Sequence, residues 1–286
     1  KLHVSGNIND AKKLYLELIE IDKDNFLFQN LLGTTFLQLK KYDEAIKHLD
    51  ISIKLNPNFP ASFGNKGIAH AEKLQYQEAI INYDKAIALK NNFYDAYLNK
   101  GIALKSIHKY DDALKYFDHC IKVNPEDPKI YNNLGNLFLE QKNLKEALKF
   151  YDKAISLQDE FAEAYNNRGE ANQQLGNYKQ AIEDYTKVLK INNNLDYIQG
   201  KILHAKMHIN DWENFDKQIE NLRTGIKNNK KVILPFPLLA LIDDPKMHKD
   251  VAEKYSKDSF PFFLKKEKIR PKLKDKINVG YFSADF

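Results

Sequence analysis

One spacing constrains this chain more than any other property. Gly33, Gly67, Gly101, Gly135 and Gly169 stand 34 residues apart, and so do Ala45, Ala79, Ala113, Ala147 and Ala181. Four residues after each of these alanines comes Leu49, Tyr83, Phe117, Tyr151 or Tyr185; three before it comes Tyr42, Tyr76, Tyr110, Leu144 or Tyr178. Seven after it lie Ser52, Ala86, Cys120, Ala154 and Val188, and Pro57 and Pro125 end two of the units. Offsets of three, four and seven place side chains on one face of a helix. A unit of this length cannot bury that face alone, so it must stack on copies of itself. The expected core is therefore the small and aromatic residues of the repeat, Cys120 among them.

Composition narrows the setting. The chain has 286 residues, 43% hydrophobic and 29% charged, which excludes a disordered tail. A single cysteine permits no internal disulfide and points to a reducing, cytoplasmic compartment. The longest apolar stretch, Val232–Ile242, is about half a membrane span and contains Pro235 and Pro237, so no transmembrane helix is expected. The first residue is Lys1 and no leader pattern follows it, which reads as a cut N-terminus. Residues 1–195 hold 26 basic and 26 acidic side chains, so the net +5 falls in residues 196–286, which hold 18 and 13. Within that part, Lys265–Lys276 has seven positive and two negative residues and accounts for the whole excess. With arginine only at Arg168, Arg223 and Arg270, nucleic acid is not an expected partner.

The unit length and its small/aromatic pattern resemble the tetratricopeptide repeat (TPR) family. That resemblance implies antiparallel helix pairs stacked into an all-α superhelical solenoid, with the first helix of each pair lining the concave wall. Glycine and alanine then lie where paired helices approach closely, and the aromatics fill wider gaps beside them. Five full units occupy 26–59, 60–93, 94–127, 128–161 and 162–195. A partial unit over residues 1–25 precedes them, with Gly6, Ile8, Ala11 and Tyr15 in the Gly, Tyr, Ala and Tyr slots of its second helix. A degenerate unit over 196–229 follows, with Trp212 in the aromatic slot and Phe215 where alanine is expected. That phenylalanine should push the two helices apart. The array's apolar end then needs a cover.

Two residues before the repeat glycines stand Leu31, Asn65, Asn99, Asn133 and Asn167, followed by Lys201 in the degenerate unit. Asparagine is a mediocre helix former whose amide needs partners, so four in one slot call for a reason. One reason is a ladder that grips an extended peptide by its backbone. The other is an amide bonded to the neighbouring repeat. The sequence weighs these evenly.

Three non-repeating strings follow: Gly200–Phe215 (GKILHAKMHINDWENF), Pro235–Pro245 (PFPLLALIDDP) and Ile277–Phe286 (INVGYFSADF). Together they resemble the junction between TPR array and catalytic region in bacterial O-linked N-acetylglucosamine transferase-like proteins of glycosyltransferase family 41. Asn210 departs from the pattern, where relatives often have cysteine. The resemblance implies that residues 230–276 form a helical linker with a basic connector. Residues 277–286 would then be the first strand of an incomplete Rossmann-like lobe. It also implies a parent enzyme moving N-acetylglucosamine from UDP-GlcNAc to a Ser or Thr hydroxyl of a protein, with inversion and without a metal. Protein or peptide substrates would lie along Asn65, Asn99, Asn133 and Asn167. No catalytic or cofactor-binding residue falls within the chain on this reading, so it is expected to be inactive alone. The alternative is a stand-alone TPR scaffold for protein partners.

His204 and His208 have the i, i+4 spacing of a zinc pair, but no glutamate follows His204 and no third ligand is apparent, so no metal is expected. Asp243-Asp244-Pro245 reads as a helix start rather than a carboxylate pair.

Overall fold

The computed structural model describes residues 7–193 and 195–259. Among these there are fifteen α-helices and no strand. The expected strand at 277–286, the basic connector and Gly6 all lie outside the described residues.

Helix α1 (Ile8–Ile21) is the second helix of the partial unit, with Ala11 fully buried. The five full units follow in register: α2 (Phe26–Gln38) with α3 (Tyr42–Leu55), α4 (Pro60–Glu72) with α5 (Tyr76–Leu89), and α6 (Tyr94–Ser106) with α7 (Tyr110–Val123). Then come α8 (Pro128–Glu140) with α9 (Leu144–Leu157), and α10 (Ala162–Gln174) with α11 (Tyr178–Ile191). Local chemistry sets several starts. Asn25 accepts hydrogen bonds from the Leu27 and Phe28 amides, Asp127 accepts from Lys129 N–H, and Pro60 and Pro128 supply a fixed φ in the first turn. Each first helix ends on a residue with left-handed φ: Lys40, Leu74, His108, Lys142 and Gly176. The next amide closes the turn, as where Lys41 N–H donates to Phe36 O and Asn143 N–H to Phe138 O, both at 2.9 Å. Only the last of the five is glycine, so four turns accept a cost of about 1 kcal/mol each for the side chain they carry.

The repeat glycines lie under the aromatics of their own units rather than beside them. A Cβ on Gly67 or Gly135 would fall 2.4 Å from Tyr83 Cε1 or Tyr151 Cε1, and both rings are buried. The paired helices thus close down until the ring rests on bare backbone.

The sixth unit breaks the pattern. Helix α12 (Ile198–His208) keeps register, but α13 (Phe215–Lys227) begins at the residue expected to be alanine, and Trp212 precedes it, half exposed, edge-on to Phe215 at 5.2 Å. Ile233 instead packs directly over Gly200. That segment is hung on α12: Tyr197 N–H donates to Lys231 O at 2.5 Å and Gly200 N–H to Val232 O at 2.9 Å. Helices α14 (Pro235–Leu241) and α15 (Pro245–Ser259) then close a small core of Leu203, Leu222, Val232, Ile233, Leu238, Ile242, Met247 and Val251. This is the cover the array's end requires. Asp244 caps α15, its carboxylate accepting from Met247 N–H at 3.0 Å.

Candidate functional site

Along the array, successive first helices touch one another (α2 with α4, α4 with α6, α6 with α8, α8 with α10), whereas the second helices make no comparable contacts. The first helices are therefore the inner wall, and the four asparagines are half-buried on them.

The four side chains do not behave alike. Asn65 Nδ2 donates to Thr34 Oγ1 of the preceding unit at 3.0 Å. Asn167 Nδ2 donates to Asn132 Oδ1 of the preceding unit at 3.0 Å, and its own oxygen accepts from Asn166 Nδ2 at 3.1 Å. Lys201, in the same slot one unit on, donates to Asn166 Oδ1 at 2.8 Å and to Glu170. Asn133 reaches only its own helix, donating to Lys129 O at 2.9 Å. Asn99 makes no side-chain hydrogen bond among the described residues.

The cause lies one unit back. The slot bonds to the preceding unit's residues one before it or three after it, which are Thr34 for Asn65, Asn132 for Asn167, and Asn166 and Glu170 for Lys201. For Asn99 those residues are Gly64 and Ile68, and for Asn133 they are Leu98 and Ile102. None carries a polar side chain. The row is thus tied to the preceding unit at its ends and not in its middle. Asn132, Asn166 and Glu170, the partners at the C-terminal end, went unread in the sequence although each lies at a fixed offset from the row.

Beyond the row, Arg168 forks onto Asp184, donating from Nε at 3.1 Å and Nη2 at 2.5 Å, and reaches Asp152 at 2.6 Å. Asp184 is buried and also accepts from Asn172 Nδ2 at 3.2 Å. Burial works to lower the Lys100 pKa, but hydrogen bonds to Asp84 and Tyr116 outweigh it and hold the ammonium above its ordinary value. His204 meets Gln173 Nε2 through Nδ1 at 3.3 Å, and His208 stacks on Tyr178 at 4.4 Å. Burial, then the neighbouring His208, lowers the His204 pKa. No group of three or more potential metal ligands is present among the described residues. No helix there is long and apolar enough to cross a membrane.

Models of the tetratricopeptide repeat match residues 4–60, 30–92, 94–127, 116–149 and 162–195, and a TPR repeat model matches 135–176. No curated protein matches the chain. Among solved structures, a chain of the APC/C hetero-tetramer Cut9-Hcn1 superimposes with a TM-score of 0.68 at 20% identity, covering 88% of this chain and 47% of that one. This chain therefore spans about half the length of that relative. A tetratricopeptide repeat protein from Parabacteroides merdae gives a TM-score of 0.62 at 18% identity, covering 70% of this chain and 78% of that one. MamA from Desulfovibrio magneticus RS-1, residue 41 to its end, gives 0.50 at 26% identity, covering 65% and 98%.

Proposed function

Since this chain is a tetratricopeptide repeat protein, we propose that it is a protein-binding scaffold whose first-helix wall holds an extended segment of a partner by its backbone. The observation that supports this most is the pair of amides in the middle of the row that bond to no neighbouring unit, Asn99 with no side-chain hydrogen bond among the described residues and Asn133 turned only onto its own helix. A carboxamide offers a donor and an acceptor together, which is what one peptide unit of an extended chain presents in return. Such a grip tolerates many sequences, because every residue brings the same groups. Adjacent first helices lie about 8–10 Å apart, so one period of the row matches roughly three residues of extended chain.

The test is fluorescence anisotropy with a labelled peptide of about nine residues, which spans roughly four units, made of Ser, Thr, Ala and Val. Its backbone N-methylated twin serves as the comparison. Asn99→Ala with Asn133→Ala should weaken binding about tenfold or more while leaving the helical signal intact. The N-methylated peptide should bind poorly to the unaltered protein. Equal affinity for both peptides, or for both proteins, refutes the proposal.

A second reading has the array deliver protein substrates to an O-GlcNAc transferase region. It rests on the strings at Gly200–Phe215, Pro235–Pro245 and Ile277–Phe286, and the scaffold reading stands without it. UDP-GlcNAc would be the donor. Incubating the gene's full product with labelled UDP-GlcNAc and a Ser/Thr peptide tests this reading, and no transfer to the peptide refutes it.

A further inference from the structure

Three joints between units repeat one contact. A small residue in the middle of the incoming first helix packs onto the alanine and the large side chain of the preceding second helix. Ala69 shares a buried cluster with Ala45 and Leu49, Ala103 with Ala79 and Tyr83, and Ala171 with Ala147 and Tyr151. In the fourth unit that position is Leu137, fully buried in a cluster with Ala113 and Phe117. There α7 and α8 stay in close contact over a shorter stretch than the helices of any other joint. Interaxial distance follows the side chains at the contact, and an isobutyl group in place of a methyl holds the helices apart.

Two further positions differ here but do not explain the gap. Ile130 replaces Ser62, Ala96 and Ala164, and Leu134 replaces Lys66, Lys100 and Arg168. The last joint carries Ile198 and Ile202 at the same two positions, keeps Ala205 at the third, and stays close. Leu137 is what sets the α7–α8 joint apart. Ion pairs also cross the neighbouring joints, Lys66 with Asp50, Lys100 with Asp84 and Arg168 with Asp152, while Leu134 leaves Asp118 exposed with no such partner among the described residues.

This joint lies between Asn99 and Asn133. We infer that Leu137 is a specificity-determining wedge: it sets the separation of Asn99 and Asn133, the two amides that bond to no neighbouring unit, and with it the stretch of peptide backbone that both can hold at once. The inference rests on the peptide-gripping reading above. It differs from that reading in predicting a change of shape that needs no ligand.

The experiment places nitroxide labels on Gln77→Cys and Lys179→Cys, both exposed, in the full chain; Cys120 is buried and stays unlabelled. The interlabel distance is measured by pulsed dipolar spectroscopy. Leu137→Ala should shift it by about 1–2 Å, the range that side-chain size gives to helix packing. Ala103→Leu, which installs a wedge one joint earlier, should shift it by a similar amount in the opposite direction. Affinity for the labelled Ser/Thr/Ala/Val peptide should fall about tenfold in Leu137→Ala, the loss expected when one amide no longer reaches the backbone. An unchanged distance with a lowered melting temperature means alanine has only left a cavity, and overturns the wedge. A changed distance with unchanged affinity overturns its role in the groove. Failure of the unaltered protein to bind the peptide refutes the groove reading itself, and appears in the control before any variant is compared.

Discussion

Replacing Gly200 with alanine tests whether the C-terminal cover is latched by close approach. A Cβ there falls 2.6 Å from Ile233 Cγ1, 2.7 Å from its Cβ and 2.8 Å from its Cα. The last of these is backbone, so no rotamer change relieves it. That backbone is held by Gly200 N–H on Val232 O at 2.9 Å and Tyr197 N–H on Lys231 O at 2.5 Å, and Ile233 is 1% exposed. Alanine favours a helix interior by about 1 kcal/mol over glycine. Against this stand overpacking, about 1–3 kcal/mol, and two strained hydrogen bonds of about 0.5–1.5 kcal/mol each. The balance is a loss of roughly 1–5 kcal/mol, confined to α12 and the cover. Gly225→Ala is the control, since the three atoms nearest its Cβ are all of the Val232 side chain, the closest at 2.7 Å, rather than backbone. Hydrogen exchange read by mass spectrometry should show protection lost over 198–203 and 229–242 in Gly200→Ala, with α2–α9 unchanged and Gly225→Ala much less affected. If Gly200→Ala melts at or above the unaltered protein, or if both variants lose protection equally, the latch does not exist.

Arg168→Ala should cost about 3–5 kcal/mol in urea unfolding, because it strands the buried Asp184 carboxylate with Asn172 as its remaining side-chain partner, whereas Lys187→Ala, whose pair with Asp159 is solvent-exposed, should change stability by less than about 1 kcal/mol. Equal losses would contradict the burial argument. His48 and His204 are both held below their ordinary value of 6.5, His48 by burial and then Lys47, His204 by burial and then His208. The folded state then binds fewer protons than the unfolded chain, so stability rises with pH and is lost progressively as pH falls below about 6.5. The urea midpoint should drop between about pH 7.5 and 5.5, and less in His48→Gln with His204→Gln; an equal drop in the double variant refutes the assignment.

What the sequence discloses is what repeats. Glycine, alanine and aromatic at fixed offsets fix unit length, helix count and phase, because each must meet a fixed partner in its own unit or the next. The α15 start was legible for the same kind of reason, as Asp244 before Pro245 is a local signal. Contacts made across a joint were not legible from one slot at a time. Leu137 is an unremarkable apolar residue until it is aligned with Ala69, Ala103, Ala171 and Ala205. The cover was hidden for a different reason: Val232 and Ile233 read as part of a linker's apolar run, and only their position over Gly225 and Gly200 shows them packed onto α13 and α12. The misregistered α13 follows from Phe215, which cannot sit where alanine packs and instead begins the helix.

The asparagine row shows how one slot can serve two purposes, and stability separates them by sign. Asn99 sits in a helix interior where alanine is better by roughly 0.5 kcal/mol, and its amide has no partner to lose, so Asn99→Ala should be slightly stabilising. Asn167→Ala gains the same propensity but leaves Asn132 Oδ1, on a side chain 9% exposed, without its donor, which costs about 1–3 kcal/mol and makes the variant less stable. A residue that persists against its own helix is explained by something outside the fold, and in this chain that applies to the middle of the row and not to its ends. Thermal melts of the two single variants decide it. Should Asn99→Ala melt lower than the unaltered protein by as much as Asn167→Ala, the middle amides are structural and the groove loses the feature that most supports it.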